Sequence, residues 1–204
     1  MSLRTQSIAT FLDQLASASP TPGGGSVAAL SGALAAGLIV MVCDLTIGRP
    51  RYAEFDAEAQ RIRAEAEHLR QLLTDLIDRD VAAYQAVASA YKLSKDDPSR
   101  ADAITAAMLT ATDVPLQIAE AAARLLPLAL PVATAGNKSA VGDVVAAAHL
   151  SVAAVQAALV NVTANLPSVH THPQADDYVA RQQHAMADLH RNCAAVVTAG
   201  TARM

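Results

Sequence analysis

The stretch SVAALSGALAAGLIVMVCD, residues 26–44, decides the fold. It carries no charged side chain before Asp44 and is rich in Ala, Gly, Leu and Val. Small residues recur four apart as Ala29, Ala33 and Gly37, and again as Ala28, Gly32 and Ala36. On a helix this spacing makes a smooth face that a neighbouring helix backbone approaches closely. The apolar run from Val27 to Cys43 sits at the lower edge of a membrane span, about 17 residues. It ends in an aspartate, with no aromatic anchor or basic cluster. We read it as a buried central helix and expect no membrane contact.

The composition agrees with that reading. Of the 204 residues, 52% are hydrophobic but only 3% aromatic, and tryptophan is absent. An apolar inventory of Ala, Leu and Val builds close-packed helices, and the length suits one domain. A net charge of −4 gives no basic field for nucleic acid. Cys43 and Cys193 read as reduced thiols. The N-terminal MSLRTQSIATFLDQLAS has no apolar core of the signal-peptide kind, which points to the cytoplasm.

Outward from the central stretch, the pattern predicts an all-α single domain of about six helices. A first helix covers roughly 5–17, with Ile8, Phe11, Leu12 and Leu15 on one face. The second runs from Ser26 to Thr46. IGRPRY breaks it, because Gly48 and Pro50 both disfavour continuation. A long third helix covers about 53–92, its apolar line passing through Ile62, Leu69, Leu73, Leu76, Val87 and Tyr91. A turn at 94–99 leads to a fourth helix, 99–126, which Pro115 should kink. PLALPVATAGN, 127–137, reads as a broken connection. A fifth helix covers 138–166 and a sixth 174–199. No segment alternates long enough to suggest a strand.

Candidate chemistry lies at three places. Ahead of the second helix stand Gly23, Gly24, Gly25 and Ser26. Ser26 is placed to cap the helix, and the glycines let a ligand reach backbone N–H groups. A tight helix crossing explains the same residues equally well. The spacing fits neither a P-loop nor a dinucleotide fingerprint. On the third helix Asp80 falls on the apolar line, where a carboxylate needs a partner or a task. Tyr84 is one turn on and in reach of it. On the fifth, Asp143 and Asn161 share a face but stand about 27 Å apart along the axis, so one small group cannot meet both. Asn165 is one turn past Asn161. Mid-helix asparagines serve equally as interhelical hydrogen-bond partners. The histidines of HTHP, 170–173, have no companions at metal-ligand spacing, and no metal site is expected.

Several stretches together resemble the cyclodeaminase/cyclohydrolase family of folate enzymes. They are PTPGGGSVAALSGALAAGLIVMVCDLTIGRPRY (20–52), DRDVAAYQAVASAY (78–91), TATDVPLQIAEAA (110–122), GNKSAVGDVVAA (136–147) and LVNVTANLPS (159–168). The resemblance implies an all-helical homodimer acting on tetrahydrofolate derivatives, with no metal and no separate cofactor. It marks Asp80 and Asp143 as catalytic, the second from the same chain or from the partner subunit. Gly23, Gly24, Gly25, Ser26, Asp44, Arg49, Arg51, Tyr52, Tyr84, Asn137, Asn161 and Asn165 become substrate-binding candidates. The activity it implies is hydrolysis of 5,10-methenyltetrahydrofolate to 10-formyltetrahydrofolate. The alternatives are cyclisation of 5-formiminotetrahydrofolate with loss of ammonia, or folate binding without turnover. The chain departs from the family pattern in three places. Asp44 stands where asparagine is common, Pro50 and arginines interrupt a lysine-rich stretch, and Val144-Val145 replaces Ala-Gly. The arginines are suited to the folate's glutamate carboxylates.

Overall fold

A computed structural model describes residues 2–204, all helix and connection with no strand among them. Eight α-helices follow in order: α1 (Ile8–Leu15), α2 (Gly24–Thr46), α3 (Asp56–Tyr91), α4 (Arg100–Ala123), α5 (Leu125–Ala135), α6 (Val141–Asn165), α7 (Ala175–Met186) and α8 (Leu189–Thr201). The all-α reading holds. α2 lies at the centre and packs most extensively on α3 and α6. Its small residues do what their spacing suggests. Ala28, Ala29, Gly32, Ala35 and Ala36 are buried, and Gly32 sits against Leu73 and Ala122, where even a methyl would be tight.

By length and composition alone, Gly24–Thr46, Arg100–Ala135 and Lys138–Ser168 would each suffice to cross a membrane. About half of each apolar window is buried against other helices of the same chain.

Local departures from the expected pattern have physical causes. The supposed connection at 127–137 is helical as α5, although it holds two prolines. Pro127 falls in the first turn, where no backbone N–H is needed. Buried Leu125, Leu126, Leu128, Ala129, Val132 and Ala133 supply the packing that outweighs Pro131. The last helix is split between α7 and α8 by Asp188, which adopts a left-handed conformation at φ 58°. In α1 only Phe11 of the expected face is buried, and Ile8 is 80% exposed. Val145, on α6, is accommodated by Gly200 of α8, where a Cβ would stand 2.5 Å from the valine methyl.

Pro115 leaves α4 continuous but removes the N–H that would bond the carbonyl of Ala111. The Asn165 side chain donates to that carbonyl at 2.7 Å. From α7, Arg181 spans the same region. It pairs with Asp113 ahead of the proline at 2.9 Å and with Glu120 beyond it at 2.7 Å. α4 is thus tied from two sides where its own ladder is open. Asn165→Leu should destabilise the protein by about 1 kcal/mol, the cost of leaving a half-buried carbonyl without its partner. In a Pro115→Ala background, which restores the N–H, thermal denaturation should show a clearly smaller loss from the same change.

Candidate active site

The start of α2, one face of α3, one face of α4 and the end of α6 enclose a cleft of about 350 Å³. The loop before α2 contributes Pro20, Thr21 and Gly23, and the first turn of α2 contributes Gly24 and Gly25. α3 contributes Asp80, Ala83, Tyr84 and Val87, and α6 contributes Asn161 and Asn165. Met108, Ala111 and Pro115 of α4 complete the lining. Sequence reading missed these last three, because apolar residues on a buried helix carry no chemical signature.

Asp80 is half-buried, and its carboxylate accepts a 2.7 Å hydrogen bond from the Ser26 hydroxyl. Ser26 does not cap α2, as its position suggested. The cap residue is Gly23, which has no side chain to offer, and Ser26 lies inside the first turn. The expected Asp80–Tyr84 pairing is replaced by the Asp80–Ser26 bond, and Tyr84 stands 45% exposed in the cleft. Burial pushes the Asp80 carboxyl above its usual pKa, against the lowering effect of the Ser26 hydroxyl and backbone N–H.

The glycine triplet divides by function. A Cβ on Gly25 would stand 2.0 Å from Asp80 Oδ1 and 2.6 Å from its Cγ. The carboxylate therefore lies directly on the backbone, as only glycine permits. At Gly24 the nearest atom to a Cβ is Asn161 Nδ2, at an ordinary 3.6 Å. Both asparagines commit an amide N–H to backbone carbonyls, Asn161 to Ala157 at 3.1 Å and Asn165 to Ala111.

The remaining candidates gather elsewhere, about 33 Å away at the far end of α2 by helix rise. Asp44 pairs with Arg63 at 2.6 Å. Asn137 donates to the Leu45 carbonyl, and its own N–H bonds to Thr46 Oγ1, both at 2.9 Å. The Tyr52 hydroxyl accepts from the Lys138 N–H at 3.0 Å, and the Arg51 guanidinium lies 5.7 Å from the Tyr52 ring centre. Arg49 is exposed beside them, and Asp143 is in the first turn of α6. Within one chain this group does not meet the cleft. Burial pushes the Cys43 thiol up to about 12, which leaves it unreactive near neutral pH. Among the described residues no three His, Cys, Asp or Glu side chains form a metal-binding group.

Residues 7–184 match the family model described as formiminotransferase-cyclodeaminase. The chain belongs to that family. It is 38% identical to the methenyltetrahydrofolate cyclohydrolase of Methylorubrum extorquens over 90% of both chains. It is 36% identical to the formimidoyltransferase-cyclodeaminase of Sus scrofa, covering 82% of this chain but 32% of that longer one. The crystal structure of formiminotetrahydrofolate cyclodeaminase from Thermotoga maritima superposes with a TM-score of 0.88 at 28% identity, over 97% of each chain.

Gly25→Ala should displace the Asp80 carboxylate from Ser26 and destabilise the protein by about 1–3 kcal/mol. Gly24→Ala should leave stability nearly unchanged. Thermal melts of the two variants side by side check the contrast.

Proposed function

We propose that the protein is a cytoplasmic methenyltetrahydrofolate cyclohydrolase that converts 5,10-methenyltetrahydrofolate to 10-formyltetrahydrofolate. The carrying observation is Asp80, the one carboxylate lining a cleft otherwise built of glycine, hydroxyl, amide and apolar groups. Identity of 38% across nearly the whole chain to an enzyme of that name supports it.

One carboxylate suffices for this chemistry. The substrate is a cation whose charge is spread over N5, the bridging carbon and N10. Its charge offsets the desolvation of Asp80 and holds the carboxylate ionised in the complex. Water adds to the bridging carbon, forming a C–O bond, while Asp80 accepts the water proton. The adduct is then neutral, so the stabilising cation is gone and the acid form of Asp80 is favoured again. The proton passes to N5 and the C–N5 bond breaks as the hydroxyl oxygen closes the C=O of the formyl group on N10, its own proton passing to the carboxylate just freed and then to solvent. Asn161 and Tyr84 are placed to orient the pterin or the water.

A second reading is cyclodeaminase activity, favoured by the fold match to the Thermotoga maritima enzyme. There N10 attacks the formimino carbon and ammonia leaves, passing through the same bridged carbon. The assay separates the two. Loss of methenyltetrahydrofolate absorbance well above the spontaneous rate establishes the hydrolase. Appearance of that absorbance from 5-formiminotetrahydrofolate establishes the other.

We further propose a homodimer through the outer face of α2. Leu34 is 54% exposed there, with Met41 and Leu45 also exposed and Leu30 and Leu38 half-buried. These positions form one helical stripe. A twofold, antiparallel pairing of α2 with its copy about Ala36 would set Ser26 of one chain beside the partner's Thr46. The far-end group would then stand near the partner's cleft. Leu34→Asp should shift the protein to monomer in sedimentation.

Asp80→Asn should reduce turnover by about 10²–10⁴-fold. The raised acid has a stability signature of its own. Its favourable contribution is complete below the unfolded pKa near 3.8 and is lost as pH rises through the higher folded value. At neutral pH the ionised group is a burden on the fold. The asparagine variant should therefore melt at a higher temperature than wild type at pH 7, and the gap should close near pH 4. A lower melting temperature at pH 7 would count against a strained catalytic carboxylate.

A further inference from the structure

The lining of the cleft reaches Val87 on α3 and Met108 on α4, and the faces that carry these residues run on beyond it. Along α3, Asp80, Tyr84, Val87 and Tyr91 recur at steps of three and four, so they share one face. Along α4, Pro115, Ala111, Met108, Ile104 and Arg100 do the same. The two helices are joined by the turn at 92–99 and run antiparallel, so the two faces are the walls of one trough. Its lower part is the cleft itself, and Arg100 stands at its other end.

Arg100 is held in place there. Its Nε donates to the Leu93 carbonyl at 3.2 Å and its Nη2 to the Tyr91 carbonyl at 3.5 Å, with the guanidinium 5.9 Å from the Tyr91 ring centre. Among the described residues no carboxylate forms an ion pair with it. Asp97, the acid nearest in the turn, is bound to the Ser99 backbone and hydroxyl, while Asp96 and Asp102 are exposed. Lys92 and Lys95 add positive charge to the same turn. A guanidinium fixed by carbonyls and an aromatic ring, with N–H groups to spare, is a carboxylate receptor.

We propose that Arg100 binds the glutamate carboxylates of the folate whose one-carbon bridge lies at Asp80. This rests on the folate reading above. Eleven residues of helix separate Asp80 from Tyr91, about 16 Å of rise. The p-aminobenzoyl ring and its amide span such a trough beside Tyr84 and Val87 and deliver the glutamate to its upper end. Arg49 and Arg51 of the same chain stand at the opposite end of α2 and do not reach this position.

The test pairs two enzymes with two substrates. Wild type and Arg100→Gln are each assayed on 5,10-methenyltetrahydrofolate and on 5,10-methenyltetrahydropteroate, which lacks the glutamate. Wild type should prefer the glutamate-bearing substrate by at least about tenfold in kcat/KM, through KM. In Arg100→Gln that preference should fall to within about twofold, while Arg100→Lys restores part of it. Melting curves matching wild type would show that Arg100→Gln is folded. A preference retained in Arg100→Gln, or abolished instead by Arg49→Gln or Arg51→Gln, overturns the assignment. So does a wild type indifferent to the glutamate. A wild type that hydrolyses neither substrate defeats the hydrolase reading first, and the assignment with it.

Discussion

A carboxylate lying on a glycine is the contact around which this molecule is arranged. Asp80 reaches from α3 to the first turn of α2, where Gly25 leaves it room and Ser26 gives it a hydrogen bond. The N-terminal end of a helix favours negative charge, while burial disfavours it. Burial wins, and the acid is held above its ordinary range. That tension is useful in a site whose substrate arrives as a cation and becomes neutral midway. The close approach of α2 to α3, made possible by alanines and glycines along α2, is what brings the acid to that spot.

The opposite wall depends on a repaired defect. A proline in the middle of α4 frees one carbonyl, and the site's own asparagine takes it up. Arg181 then bridges carboxylates on either side of the gap. Half-buried ion pairs of this kind add little to stability, because desolvation and solvent screening offset the pairing. Their evident result is position: Met108, Ala111 and Pro115 face the cleft at a fixed distance from Asp80.

The fold was largely legible because its signal is local. Period and small-residue spacing located α2, α3, α4 and α6 to within a few residues. What failed was also local. Pro127 and Pro131 read as breakers, yet packing of the surrounding leucines overrode them. The split at Asp188 left no mark in the pattern of 174–199, which read as one helix. At the site, Asp80 was visible because a carboxylate on an apolar line is anomalous. Its bond to Ser26 was not, since that contact joins residues 54 apart. Nor could spacing reveal that Asn165 answers Pro115, or that Asn137 packs on the far end of α2 beside Leu45 and Thr46. Composition and period describe each helix but are silent on which helix ends meet.

The Gly25 contact also bears on how relatives of this chain should be compared. An acid aligned with Asp80 is a poor sign of a working site when taken by itself. Any side chain at the glycine position evicts that acid while leaving the helices and their packing recognisable. The two positions therefore have to be read together. A lineage drifting away from catalysis would show it first at the glycine, the residue with no chemistry of its own.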